Sequence, residues 1–248
     1  MNEKVLVIIS HAEHNNNYVR NIINNKIKFE KQYGENVDFA CISSSDDFDV
    51  YEKYISFKYK FTSEKMQLEK LCNFLSDNHD VIEKYDWFIR TRADTFINDI
   101  PHVKYLPKCY INGRAREYIG PKHILNGSSV NGSGHYQNIK ACFFREQEEL
   151  LVLDDQIIMF DKSVVTSGIF DKYKQDEVTD DTYSALYVDE NGNRKEPSYA
   201  ARYEHEWFMY NLLKNRGVRF NVVGIDMQIL GRPNGDGMRS GHVNMDCV

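Results

Sequence analysis

The chain has 248 residues, 42% of them hydrophobic and 27% charged, which gives enough apolar material for one large domain or two small ones. A formal charge of −6 without a concentrated Lys/Arg run argues against a nucleic-acid backbone as partner. The five cysteines are scattered without C-x-x-C spacing, which points to reduced thiols in a cytoplasmic setting, not to a disulfide frame or zinc site.

The opening "KVLVIIS" (4–10) is a continuous β-branched run of the kind that forms a strand buried on both faces. Its apolar stretch is too short for a secretory signal, and no stretch of the sequence reaches the length of a membrane span. An Asn-rich segment follows, with Tyr18, Val19, Ile22, Ile23 and Ile27 at helical spacing, to about Tyr33 with Gly34 as stop. "VDFACIS" (37–43) predicts a second strand, ended by the polar turn "SSDDFD", and "YISFKYKF" (54–61) predicts a short third one. Ser63 reads as the N-cap of a helix carrying Leu68, Leu71 and Leu75, with a second helical piece before "YDWFIRTRADTFI".

This β-α-β-β-α-β order predicts an α/β domain with a mainly parallel central sheet, whose ligands sit beyond the carboxyl ends of the strands. The second half is less regular. "CYINGRAREYIG" (109–120) predicts a strand and return, 125–138 a Gly/Ser/Asn-rich loop suited to a lid, and "DDQIIMF" (154–160) a strand. Ser163 is placed as the cap of the next helix. Asn191-Gly192 marks a turn, "YEHEWFMYNLLKNRG" (203–217) a helix stopped by Gly217, and "VRFNVVGI" a late strand. Neither repeats nor a linker stand out, so a single domain over 1–248 is expected.

Chemistry concentrates in "WFIRTRADTFIN". On a strand, Arg90, Arg92 and Asp94 share one face. A carboxylate there suits Mg²⁺ or Mn²⁺, and arginine forks suit a diphosphate. A salt bridge between Arg92 and Asp94, closing off a core strand, explains the same residues equally well.

The segment "YDWFIRTRADTFIN" resembles the "YD-x-[FV]-[IL]-R-x-R-x-D" segment of GT-A-type glycosyltransferases from bacterial surface-polysaccharide clusters and large viruses, where it occupies the place of the metal-holding D-x-D motif. "DDQIIMF" and the Glu-led helix "EHEWFMYNLLKNRGV" extend the resemblance over roughly residues 4–225. It implies a GT-A (Rossmann-like) fold, a nucleotide-diphosphate sugar donor bound by about 1–100, a polysaccharide or glycoprotein acceptor bound by about 101–248, and Mn²⁺ or Mg²⁺. Here Arg92 stands where the first Asp of D-x-D would be, which puts metal dependence in question.

The resemblance implies Asp94 as metal ligand, with His242 of the glycine-rich tail reaching the metal or diphosphate. Arg90 and Arg92 would face the diphosphate, while His11 and Asp46, with Asp47 beside it, would meet the nucleotide. An inverting reaction needs a carboxylate base. Asp155 is the first choice and Glu206 the second, among Asp154, Asp155, Glu204 and Glu206. Two other functions use the same residues: a metal-dependent nucleotidyltransferase or phosphohydrolase, and a non-catalytic nucleotide-sugar or glycan-binding module.

Overall fold

The computed structural model describes residues 3–11, 16–65, 67–119, 135–139, 151–172, 209 and 212–230, and at 115–119, 135–139 and 151–154 the backbone alone. Four strands run parallel: β1 (Val5–Ser10), β2 (Val37–Ser43), β3 (Tyr59–Thr62) and β4 (Trp87–Arg92). β1 lies between β2 and β4, with Val5 opposite both Val37 and Trp87, and β3 flanks β2. β8 (Leu151–Asp161) adds antiparallel to β4, then β6 (Tyr110–Ile119) antiparallel to β8. β7 (His135–Ile139) and β9 (Arg219–Val222) both pair with β6, giving a sheet in which only β7 and β8 oppose the common direction. The expected mainly parallel α/β sheet is therefore present.

Strand alternation divides the core into two layers. Leu6, Ile8, Ala40, Ile42, Phe88, Ile158 and Phe160 point to one face. There they meet α3 (Gln67–Asp77), α4 (His79–Ile82), α5 (Lys162–Thr166) and a helical turn at 212–215 ended by Gly217 at φ 80°. Val5, Val7, Ile9, Phe39, Cys41, Trp87 and Ile89 point the other way, against α1 (Val19–Tyr33) and the region of α2 (Asp49–Glu52). A two-stranded ribbon, β5 (Thr95–Asp99) with β10 (Asp226–Ile229), closes that second layer. Full burial of β1 on both faces accounts for its unbroken apolar sequence.

Several boundaries differ from the sequence reading. The third strand covers only Tyr59–Thr62, because Asp49–Glu52 forms a helical turn and Tyr51 buries itself upstream. Ser63 does accept the Lys65 N–H at 3.3 Å, yet α3 begins only at Gln67. The cap of α5 is Asp161, whose carboxylate accepts the Ser163 N–H at 3.2 Å, so Ser163 is a first-turn residue instead. The loop expected over 125–138 ends in β7, and its earlier part lies outside the described residues, as does the Asn191-Gly192 turn.

The Asn-rich helix has a role that its apolar spacing does not reveal. Asn21, Asn24 and Asn25 occupy one face of α1, three and four residues apart. Asn25 donates to the Thr95 carbonyl at 2.7 Å and accepts the Ile97 N–H at 3.0 Å, as a neighbouring strand would. Asn24 donates to the Ile97 carbonyl at 2.8 Å, and Asn21 donates to the carbonyls of Ala93 at 3.1 Å and Leu230 at 3.0 Å. The helix thus satisfies the open edge of β5 with side-chain amides. Asn25→Ala would orphan a buried donor and a buried acceptor, and is expected to lower unfolding stability by about 2–4 kcal/mol. Urea denaturation, read as a lower midpoint at unchanged slope, checks this.

Candidate functional site

Because β1, β2 and β4 are parallel, their carboxyl ends lie together. β8 runs the other way, so its first half reaches the same edge, with Thr91 opposite Ile157. The β6–β8 ladder jumps from Gly113–Ile158 to Ala115–Leu153, so the β8 segment carrying Asp155 and Gln156 leaves regular pairing. Such irregularities re-aim side chains. Here Asp155 turns to the end of β4.

At this edge Arg92 lies between two carboxylates. Its Nε and Nη2 donate to Asp94 Oδ1 and Oδ2 at 3.0 and 2.9 Å, and its Nη1 donates to Asp155 Oδ2 and Oδ1 at 2.9 and 3.2 Å. Burial works against the Arg92 charge, but Asp155 and then Asp94 outweigh it and hold the guanidinium above the ordinary arginine range. The residue on which the salt-bridge and the binding explanations diverged thus makes two salt bridges.

The turn bearing Asp94 is fixed independently of that charge. Ala93 N–H donates to the Ser10 carbonyl at 3.2 Å, Leu230 N–H donates to the Asp94 carbonyl at 3.0 Å, and Asn21 and Asn25 hold the flanking carbonyls. Backbone bonds place Asp94, and Arg92 sets its electrostatic surroundings.

A second cluster lies on the α3 side. Arg90 Nη2 donates to Gln67 Oε1, which also accepts Ser10 Oγ at 3.5 Å. Lys70, one turn along α3, is 1% exposed; it donates to the His11 carbonyl at 3.3 Å and to Ser44 Oγ. Among the described residues no carboxylate lies within salt-bridge range of Lys70. Burial, and next the nearby Arg90 charge, push the Lys70 pKa below its ordinary value. Sequence reading missed Lys70, although its place inside "LEKLC", between buried Leu68 and Leu71, was the available signal.

The other expected residues are dispersed. The His11 ring points into the opposite core layer, 3.4 Å from Cys41 Sγ and edge-on to Tyr51 at 5.2 Å, while its backbone reaches the site edge. Asp46 is exposed in the turn after β2. Glu206 and His242 lie outside the described residues, as does Glu204, and for Asp154 only the backbone is described.

A divalent ion fits this arrangement poorly. Among the described residues no group of three or more His, Cys, Asp or Glu comes together. That alone is not decisive, since Mg²⁺ uses one or two carboxylates plus water and phosphate. Occupancy weighs more: all four oxygens of Asp94 and Asp155 already accept bonds from Arg92, and a divalent cation beside them would also meet the repulsion of that guanidinium.

Comparison with protein-family models and with curated proteins gave no match. No helix among the described residues is long and apolar enough to cross a membrane.

Lys70 provides a test by pH. Its folded pKa lies below the value of 10.5 that it has when unperturbed, so the unfolded chain binds its proton more tightly. Stability therefore rises with pH between the lowered folded value and 10.5. Measured by urea denaturation at pH 7 and again near pH 9.5, the stability of the wild type relative to Lys70→Met is expected to move in the wild type's favour as pH rises.

Proposed function

We propose that the chain is a GT-A-type glycosyltransferase that moves a sugar from a nucleotide-diphosphate donor to a glycan acceptor. One observation carries this reading. The two segments "RTRAD" and "DDQIIMF", which bear the resemblance to that family, are neighbours in the sheet, and their carboxylates meet on one guanidinium across 63 residues of sequence.

The chemistry is consistent with it. Glycosyl transfer breaks the bond between the anomeric carbon and the diphosphate through an oxocarbenium-like transition state. Negative charge gathers on the departing diphosphate, so fixed cations assist most as that bond breaks. Lys70 and Arg90 are buried, positioned by α3 and β4, and close enough for one charge to suppress the other. An arriving dianion relieves that repulsion. In this reading Asp46, exposed beyond β2, would meet the nucleotide. Asp155 is engaged by Arg92 and is a poor proton acceptor in that state; in this reading it positions Arg92, and the base role passes to Glu206. A cytoplasmic setting fits the donor.

Arg92's hold on both carboxylates also favours a second reading, a module that binds a nucleotide-sugar without turning it over. Calorimetry against a panel of nucleotide-sugars, followed by an assay of acceptor-dependent nucleotide release, separates the two. The expected result is binding of one donor and release of its nucleotide when acceptor is added. Binding without release supports the module, and transfer of a nucleoside monophosphate or release of phosphate would count against both. Lys70→Met is expected to weaken donor binding about tenfold or more, while Cys72→Ser, on the same helix, leaves it unchanged.

A further inference from the structure

The position of Arg92 carries a conclusion about metal use that runs against what the family resemblance implies. All four oxygens of Asp94 and Asp155 accept bonds from its guanidinium, between 2.9 and 3.2 Å. A guanidinium does not deprotonate in proteins, so raising the pH does not release the two carboxylates. Nor can the turn carry Asp94 away, because its backbone is tied to Ser10, Leu230 and α1. Exposure orders the three groups as well: the Arg92 side chain keeps 19%, against 6% for Asp94 and 3% for Asp155. Arg92 is therefore the most accessible of the three to a ligand at this edge.

We propose that Arg92 is a built-in cation standing where a divalent metal would bridge Asp94 and Asp155, and that the site binds its diphosphate ligand without one. The ligand in this statement rests on the glycosyltransferase reading; the place of Arg92 does not. With Lys70 and Arg90 buried on the α3 side of the same edge, Arg92 would make a third fixed cation available to a departing diphosphate. The arrangement needs no Mn²⁺ or Mg²⁺ to be captured along with the donor.

The first test follows the free Mn²⁺ signal by electron paramagnetic resonance as the EDTA-dialysed full chain is added. The wild type is expected to leave the signal at its buffer level, or to reduce it no more than Asp94→Asn does. Uptake by the wild type that Asp94→Asn abolishes would overturn the proposal. Arg92→Asn, if folded by circular dichroism, is expected to take up Mn²⁺ and to lose that capacity in the double variant Arg92→Asn/Asp94→Asn. A folded Arg92→Asn that takes up no more Mn²⁺ than the wild type also counts against it. Should Arg92→Asn not fold, the wild type and Asp94→Asn decide between them.

The second test is calorimetry with uridine and guanosine diphosphate, in EDTA and in Mn²⁺. Equal affinity in the two buffers is expected. Binding tightened by about tenfold or more in Mn²⁺, with the gain lost in Asp94→Asn, would sink the idea. If neither nucleotide binds and no donor of the nucleotide-sugar panel does either, the glycosyltransferase reading fails, while the Mn²⁺ signal still decides the role of Arg92.

Discussion

The ion triad Asp94–Arg92–Asp155 is the constraint around which the functional edge is organised. It joins the end of β4 to the irregular part of β8, two segments that the hydrogen-bond ladder alone leaves apart beyond Thr91 and Ile157. Buried ion pairs carry a desolvation cost that their attraction barely repays, and apolar replacements are often as stable. The triad is therefore a weak explanation for the stability of the domain. The continuous apolar layers on either side of β1 are the stronger one, with Phe88 stacked on Phe160 at 5.7 Å and Phe160 against Phe170 at 4.4 Å.

What the triad does supply is a defined charge. The turn at Ala93–Thr95 would hold its path by backbone and asparagine bonds whether or not Arg92 were charged. One guanidinium against two carboxylates leaves the triad a net charge of −1, while Lys70 and Arg90 lie buried on the α3 side of the same edge. The whole chain carries −6. Two buried cations walled by low-dielectric core, within a negative protein, would favour an anionic group beside Lys70 and Arg90 over elsewhere on the surface.

How much of this was legible in the sequence depends on which force fixes each feature. The parallel strands were readable because a strand buried on both faces must be apolar throughout, and "KVLVIIS" and "VDFACIS" are. The polar strand ends were readable for the complementary reason: charge following such a run marks where the core stops. Asparagine, by contrast, is a residue of turns and loops, so Asn21, Asn24 and Asn25 carried no sign that they would replace a neighbouring strand for β5. The ribbon β5–β10 joins segments about 130 residues apart and only four or five residues long, too short for alternation to announce them. Lys70 escaped because a lysine in an amphipathic helix is ordinarily solvated, and only tertiary packing against His11 and Ser44 buries it.

The spacing of "RTRAD" left a salt bridge and a ligand site as alternatives, and the geometry makes them compatible. Arg92 does form the salt bridge, but with two partners and from the solvent side of both. A pairing that served only to close a core strand would have no need of a second carboxylate drawn from an irregular stretch of β8, nor of two further buried cations one layer below. Those cations are the expensive part. Lys70 sits where burial and Arg90 both disfavour its charge, and no carboxylate among the described residues offsets it. A fold that retains such a group gives up stability at that position. A negatively charged ligand bound beside Lys70 would recover it, and under the proposed function the cost in the free protein and the affinity for the donor would then arise from the same two charges.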